Sequence, residues 1–261
     1  MPVPNTETLL AAYDEQVRPA ETRNLPPGAY AEWDGPVVRV VGMHHRGFVA
    51  GPPDLGVDGA ELDGLIARQR DFFAARDESV EWKTRGHDLP ADLPERLMAA
   101  GFVAEPRETV LIGLAAELAE PVTVDGVTVR EVVEDEDMHR IAAMSSEVWD
   151  TDRGWLAAEL IERDRERTVV VVAEADGRVV SSARLVFEPG TEFAGLWGGA
   201  TLTAWRGRGI YRALVAHRAQ VATERGTRYL QVDATDDSRP ILRRLGFTAV
   251  TTTTPYVWPA S

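Results

Sequence analysis

The sequence predicts an α/β protein, a mixed sheet with helices on both faces, built as two similar halves. Three observations lead there. In the second half of the 261 residues, β-rich runs alternate with amphipathic helical runs. The same order of runs recurs, more faintly, in the first half. A glycine- and arginine-rich junction, Thr201–Arg212, then joins a strand to a helix, the place where such a sheet can hold an anion.

In chain order, the first half predicts a strand at Val37–Met43 and a helix at Gly59–Asp77 with Leu62, Leu65, Ile66, Phe72 and Phe73 facing inward. A short strand at Val80–Lys83, a short helix at Leu93–Ala100 ended by Gly101-Phe102, and a strand at Glu108–Ile112 complete it. The second half predicts a strand and hairpin over Val122–Val133, turning at Asp125-Gly126. Helices are expected at Glu134–Trp149 and Gly154–Arg165. The runs Thr168–Glu174 and Arg178–Phe187 read as strands joined by Asp176-Gly177, a hairpin signal. A glycine-rich strand, Phe193–Thr203, leads to a helix at Gly209–Arg225. The short strand Tyr229–Val232 follows, then a helix at Ser238–Leu245 ended by Gly246, then one long strand or a strand pair over Phe247–Trp258.

The halves rhyme. Leu93–Phe102 resembles Ser238–Phe247, and the two Gly-Phe pairs lie 145 positions apart. Each closes the order strand, long helix, strand, short helix, and each is followed by a strand, which favours duplication over chance capping. The join falls at Ala115–Val122, broken by Pro121. This places one domain at 1–118 and a second at 119–261.

Composition excludes several classes. The formal net charge of −14 argues against nucleic acid and anionic membrane surfaces, and an acidic field favours a cationic substrate such as an amine. There is no cysteine, hence no disulfide, thiolate metal site or cysteine nucleophile. The start of the chain lacks the pattern of a signal peptide, and no run reaches bilayer-spanning length, so a cytoplasmic location is expected. A homodimer is compatible with this reading.

The junction carries the chemistry. Glycines let backbone amides approach a bound group, and a helix N-terminus adds orphan N–H donors and the positive end of its dipole. Arg206, Arg208 and Arg212 add positive charge within an acidic chain. A pyrophosphate suits such a site. A Rossmann fingerprint is broken at Arg212, and the Gly-Lys-Ser/Thr ending of a P-loop is absent.

What remains, Arg206-Gly207-Arg208-Gly209-Ile210-Tyr211, resembles the acyl-CoA loop of the GNAT superfamily of N-acetyltransferases, with Tyr211 where Gly or Ala is usual. The strand before it, the long helix, the short strand Leu230–Asp233 and the Leu245-Gly246-Phe247 ending fall in that family's order. The resemblance covers about Val122 to Trp258. It extends weakly to the first half, as a degenerate copy without a cofactor site, in the manner of tandem GNAT proteins. There Arg46–Pro53 stands where the loop should be, and Pro52 and Pro53 have no amide protons to offer phosphate.

The resemblance implies acetyl-CoA or another acyl-CoA as co-substrate, with Gly199, Ala200 and Thr201 beside its pantetheine arm. It implies the pyrophosphate on amides of Gly207 to Arg212, and Ser238 in the cofactor set. The positions of the family's usual base and acid hold Gln231 and Leu242, neither of which transfers protons. Proton transfer then falls to another group, with Asp233, Glu192 and Tyr256 as candidates, or to a water chain. Trp149, Trp155 and Trp197 are candidates to line an acceptor pocket, with core packing as the alternative. His44-His45 looks like a metal pair, but strand neighbours point to opposite faces and no carboxylate sits at ligand spacing, so no metal site is expected. The run Glu134–Asp137 is expected to favour a helix dipole and to solvate the surface. The function implied is acetyl transfer to a small-molecule amine by direct attack in a ternary complex. The alternative is a GNAT-like protein that binds acyl-CoA or another ligand without turnover.

Overall fold

A computed structural model describes residues 4–23, 25, 28–43 and 46–260. His44 and His45 lie outside the described residues. The chain opens on helix α1 (Thr6–Ala12), capped by the Asn5 side chain, which accepts from the Thr8 N–H at 2.8 Å. It continues through a π-helical turn, Tyr13–Val17, into α2 (Arg18–Ala20). There follow β1 (Tyr30–Asp34), β2 (Val37–Val41), β3 (Gly47–Ala50), α3 (Gly59–Ala74), β4 (Val80–Arg85), α4 (Leu93–Ala99), β5 (Val103–Ala104) and β6 (Glu108–Leu114). The second half holds α5 (Ala115–Leu118), β7 (Thr128–Val132), α6 (Asp135–Trp149), α7 (Trp155–Glu162), β8 (Thr168–Ala175), β9 (Arg178–Phe187) and β10 (Phe193–Thr201). It ends with α8 (Ile210–Glu224), β11 (Tyr229–Ala234), α9 (Arg239–Leu245) and β12 (Thr248–Trp258), which is one strand and not a pair. No helix among the described residues is long and apolar enough to cross a membrane.

Two compact units form, and their division is not the sequential 1–118 and 119–261. The first runs to Leu111 and also takes Asp233–Ile241 and the chain from Thr248 on; the second is Ile112–Val232 with Leu242–Phe247. The reason is strand pairing, which sequence distance does not constrain. In the first unit β12 pairs antiparallel with β4, Thr253 opposite Arg85 and Trp258 opposite Val80. In the second, the Ala115 N–H donates to the Arg228 carbonyl at 2.9 Å, tying the end of β6 to the head of β11. The strand after each Gly-Phe ending thus leaves the sequential order.

The first unit's sheet runs β1-β2-β3-β4-β12, with β3 and β4 parallel and the other pairs antiparallel. Helix α3 buries Leu62, Leu65, Ile66 and Phe73 in a core with Trp82, Leu97 and Tyr256. Phe72, expected inward, is half-buried at the edge, under the Arg39 guanidinium at 4.3 Å. Strand β3 occupies the Arg46–Pro53 stretch read from sequence as loop. Gly47 begins it because any Cβ there would lie 2.0 Å from the Phe73 ring.

In the second unit the order is β11-β10-β9-β8-β7, parallel only between β10 and β11. Successive residues of β8 and β9 are buried, so both sheet faces are covered. In both halves the short helix ends alike. Gly101 and Gly246 take φ of 94° and 109°, and Phe102 and Phe247 donate back to Leu97 and Leu242 at 3.0 and 3.1 Å. This is the Schellman arrangement, and it repeats the rhyme in backbone geometry.

Candidate functional site

The site is built where β10 leaves the sheet. β10 pairs with β11 at Phe193–Tyr229, Ala194–Leu230 and Gly195–Gln231, then runs on to Thr201 with no further partner on that strand. On its other edge Trp197 faces Arg184 and Ala200 faces Ser182, so Gly198 and Gly199 together oppose Ala183 in a bulge. Gly198 has φ +60°, and a Cβ there would lie 3.0 Å from the Arg184 Nε, so glycine is needed on both counts.

Beyond β10 the chain makes a 3-10 turn at Thr203–Trp205, then passes Gly207 and Gly209 at φ of 74° and 85° into α8. The first amide drawn into the helix is that of Ala213, which donates to Gly209 at 3.0 Å. Among the described residues no backbone carbonyl accepts from the N–H groups of Gly207 through Arg212. Nothing lies within 4 Å of where a Gly207 Cβ would stand, so the approach is open. Successive N–H groups at the positive end of a helix, without backbone acceptors and open at Gly207, fit a pyrophosphate. Arg206 is held by its Nε on the Thr201 carbonyl at 3.1 Å, and Arg208 lies over the Trp205 ring at 4.5 Å. Arg212 is exposed.

Tyr211 turns its ring toward β10, 3.4 Å from where a Gly199 Cβ would be, and burial raises its hydroxyl pKa. Farther along α8, Arg218 is fully buried. It donates to the carbonyls of Leu214 and Arg184, both at 3.0 Å, while Nη2 has no acceptor. Burial pulls it down to about 10, against the favourable pull of Tyr211. The Thr201 hydroxyl is engaged with Ser181 at 2.7 Å.

Beside β10 lies a cavity of about 130 Å³. The β10 residues Gly198, Gly199 and Ala200 form one wall, and Trp149, Arg153 and Trp155, from the α6–α7 connection, form another. Trp149 and Trp155 are about half exposed, which sets aside core packing for these two. Trp197 is also exposed, but its indole covers Gly195, where a Cβ would lie 2.3 Å from Nε1; it is not among the cavity's lining residues.

Of the proton-transfer candidates, Asp233 and Tyr256 fall in the first unit and Glu192 at the head of β10. Asp233 is in the first unit, its side chain 3% exposed and paired with the Lys83 ammonium at 2.6 Å. Burial alone would lower the Lys83 pKa; attraction to Asp233 and Glu21 outweighs it and raises it. Tyr256 lies in the first unit's core, its hydroxyl pKa raised by burial. Ser238 belongs to that unit too, in the turn before α9, 3.2 Å from the Thr235 hydroxyl. Glu192 stands at the head of β10, beside Arg228 at 3.3 Å, about 25 Å of extended strand away from Thr201. In the second unit, Gln231 and Leu242 are buried. Asp137, from the acidic run expected to be solvated, is also buried, against Arg130 and Arg140 at 2.9 and 2.8 Å. Sequence reading passed over Arg153, Arg184, Ser145 and Ser182, which line the cavity. An aromatic–cation–aromatic grouping at Trp149, Arg153 and Trp155 was the available signal.

A mixed sheet whose bulged strand loses its parallel partner and ends in an open amide cradle defines an acyl-CoA N-acyltransferase fold. The comparisons agree. Residues 134–247 match the model of the acetyltransferase (GNAT) family. A GCN5-related N-acetyltransferase from Kribbella flavida has a similar structure, with 22% identity, a TM-score of 0.75, and 94% of this chain and 95% of that one covered. A tandem GNAT protein from the clavulanic acid biosynthesis pathway is similar at 16% identity and TM-score 0.65, over 93% of this chain and 86% of that one. A GCN5-related N-acetyltransferase from Sphaerobacter thermophilus shares 17% identity at TM-score 0.65, over 98% and 93%. No curated protein matches the sequence.

Proposed function

We propose that the protein is an acetyl-CoA-dependent N-acetyltransferase of small-molecule amines, working in the cytoplasm by direct attack in a ternary complex. The observation that carries this is the shared strand: Gly199 and Ala200 wall the cavity, and the same β10 leads into the open cradle at Gly207–Arg212. Acyl-CoA would supply the thioester carbonyl; the amide bond forms as the C–S bond breaks, and the amine's proton passes through water to the thiolate. The chain's own part is to hold the pyrophosphate on the loop amides and to confine the amine in the cavity. Asp233, held by Lys83, serves the fold in this account, and water carries the proton. The non-catalytic alternative draws on the buried Gln231 and Leu242, neither of which is an acid or a base.

Acetyl-CoA is expected to raise the melting temperature by binding only the folded chain. Thiol release over an amine panel then separates the readings. Release above the hydrolysis background with at least one amine supports the transferase; stabilisation by acetyl-CoA with no amine-dependent release supports the binding protein.

A further inference from the structure

The cavity is locally cationic inside an acidic protein. Two arginines line it. Arg184 is balanced by Glu159, Nη1 to Oε1 at 2.6 Å. Arg153 has no carboxylate within ion-pair distance among the described residues, and its Nε is buried without a hydrogen-bond partner. Its guanidinium carbon stands 5.7 Å from the Trp149 ring centre and 5.2 Å from that of Trp155. Two indoles therefore hold a planar cation at the wall of a pocket and offer it π-faces but no acceptor.

An arginine at a cavity wall with no carboxylate of its own is a place for an anion. A guanidinium fork matches a carboxylate through two parallel N–H···O bonds. One uncompensated positive charge calls for one negative charge, which favours a carboxylate over a doubly charged phosphate. The hydroxyls of Ser145 and Ser182 and the side chains of Ile141, Leu156 and Leu160 complete a mixed lining. The volume, about 130 Å³, is on the scale of a cavity that admits one benzene ring, about 150 Å³.

We propose that the acceptor is an amine that also carries a carboxylate, a small amino acid, and that Arg153 is the residue that selects it. The amine rests on the acyl-transfer reading above; the carboxylate rests on the pocket alone. The two separate experimentally. N-acetyl amino acids, which have the shape of the product and need no turnover, are titrated calorimetrically as a panel into the full chain, beside their carboxamides.

At least one acid is expected to bind about ten- to a hundredfold more tightly than its carboxamide, the range for a hydrogen bond to a charged group. In Arg153→Met that preference should vanish; in Arg153→Lys it should return in part. Unchanged coenzyme A affinity shows that each variant is folded. If the acids bind through Arg153 but no amine is acetylated, the transferase reading fails, the amine falls with it, and the carboxylate site at Arg153 stands. Equal binding of acids and carboxamides overturns the proposal. So does a panel in which no acid binds, or an Arg153→Met variant that keeps the preference.

Discussion

The two units treat the corresponding loop in opposite ways. After β10, the loop into α8 leaves its amides open. After β3, the corresponding loop into α3 closes on itself. There Leu55 donates to the Leu89 carbonyl at 3.0 Å, Leu89 donates to Pro53 at 2.7 Å, and Gly56 donates to the Asp54 carboxylate at 2.8 Å. Pro52 and Pro53 have no N–H, and a carboxylate already stands where an anion would arrive. The first unit pairs its buried cations, Arg85 with Glu21 at 2.5 Å, Arg18 with Asp88 at 2.6 Å and Lys83 with Asp233. The second pairs Arg130, Arg140 and Arg184 but leaves donors of Arg153 and Arg218 unsatisfied, as the first leaves the Arg18 Nε. A shared element order therefore does not carry a shared site. What decides is whether local acceptors have already taken the donors.

The largest effect should come from breaking a pair in the first unit. Asp233→Asn strands a buried Lys83 ammonium, and the expected loss is about 3–5 kcal/mol of stability in urea unfolding. Turnover per folded molecule should change less than tenfold. A thousandfold loss of turnover at unchanged cofactor affinity would instead make Asp233 a base. Next is the open loop. Gly209→Asp puts a side chain at φ +85° and a carboxylate into the cradle, and coenzyme A binding should weaken about a hundredfold or more. The closed loop should respond only in stability. Asp54→Ala removes the acceptor for Gly56, at about 1 kcal/mol, with coenzyme A affinity within twofold of the parent.

The smallest effect belongs to one of the second unit's ion-paired clusters. Hydrogen bonds from Arg130 hold the Asp137 and Glu174 carboxyls below their ordinary values of 3.8 and 4.5. The stability they contribute is fully present above those ordinary values and is lost as pH falls through the lowered ones. Arg130→Met should therefore be less stable at pH 7, by under about 1 kcal/mol after solvent screening, and should converge with the parent in acid. A gap that persists in acid would assign the effect to packing.

Much of this was legible in the sequence. The sheet-and-helix order, the loop glycines and both Gly-Phe endings depend on local signals, and they stand where the pattern put them. Helix α1 with its π-turn was missed although Leu9, Tyr13, Val17 and Ala20 are buried at helical spacing, hidden among interleaved charges. Strand β1 offered nothing to read, since it is exposed nearly throughout and lacks alternation. The departure of β12 to the first unit leaves no local trace, because pairing partners are chosen across the whole chain. The same non-local placement puts Asp233 and Tyr256, plausible as isolated letters, with the first unit's ion pairs and core. Arg153 carries no signal as a single letter; the Trp149 and Trp155 indoles beside it hold it at the cavity wall.

A calorimetric titration of coenzyme A into the full chain tests the central claim that one of two similar loops binds and the other is closed. One molecule should bind per chain, and Gly209→Asp should remove that binding while Asp54→Ala leaves it intact. Two molecules per chain, or undiminished binding by Gly209→Asp, would contradict it.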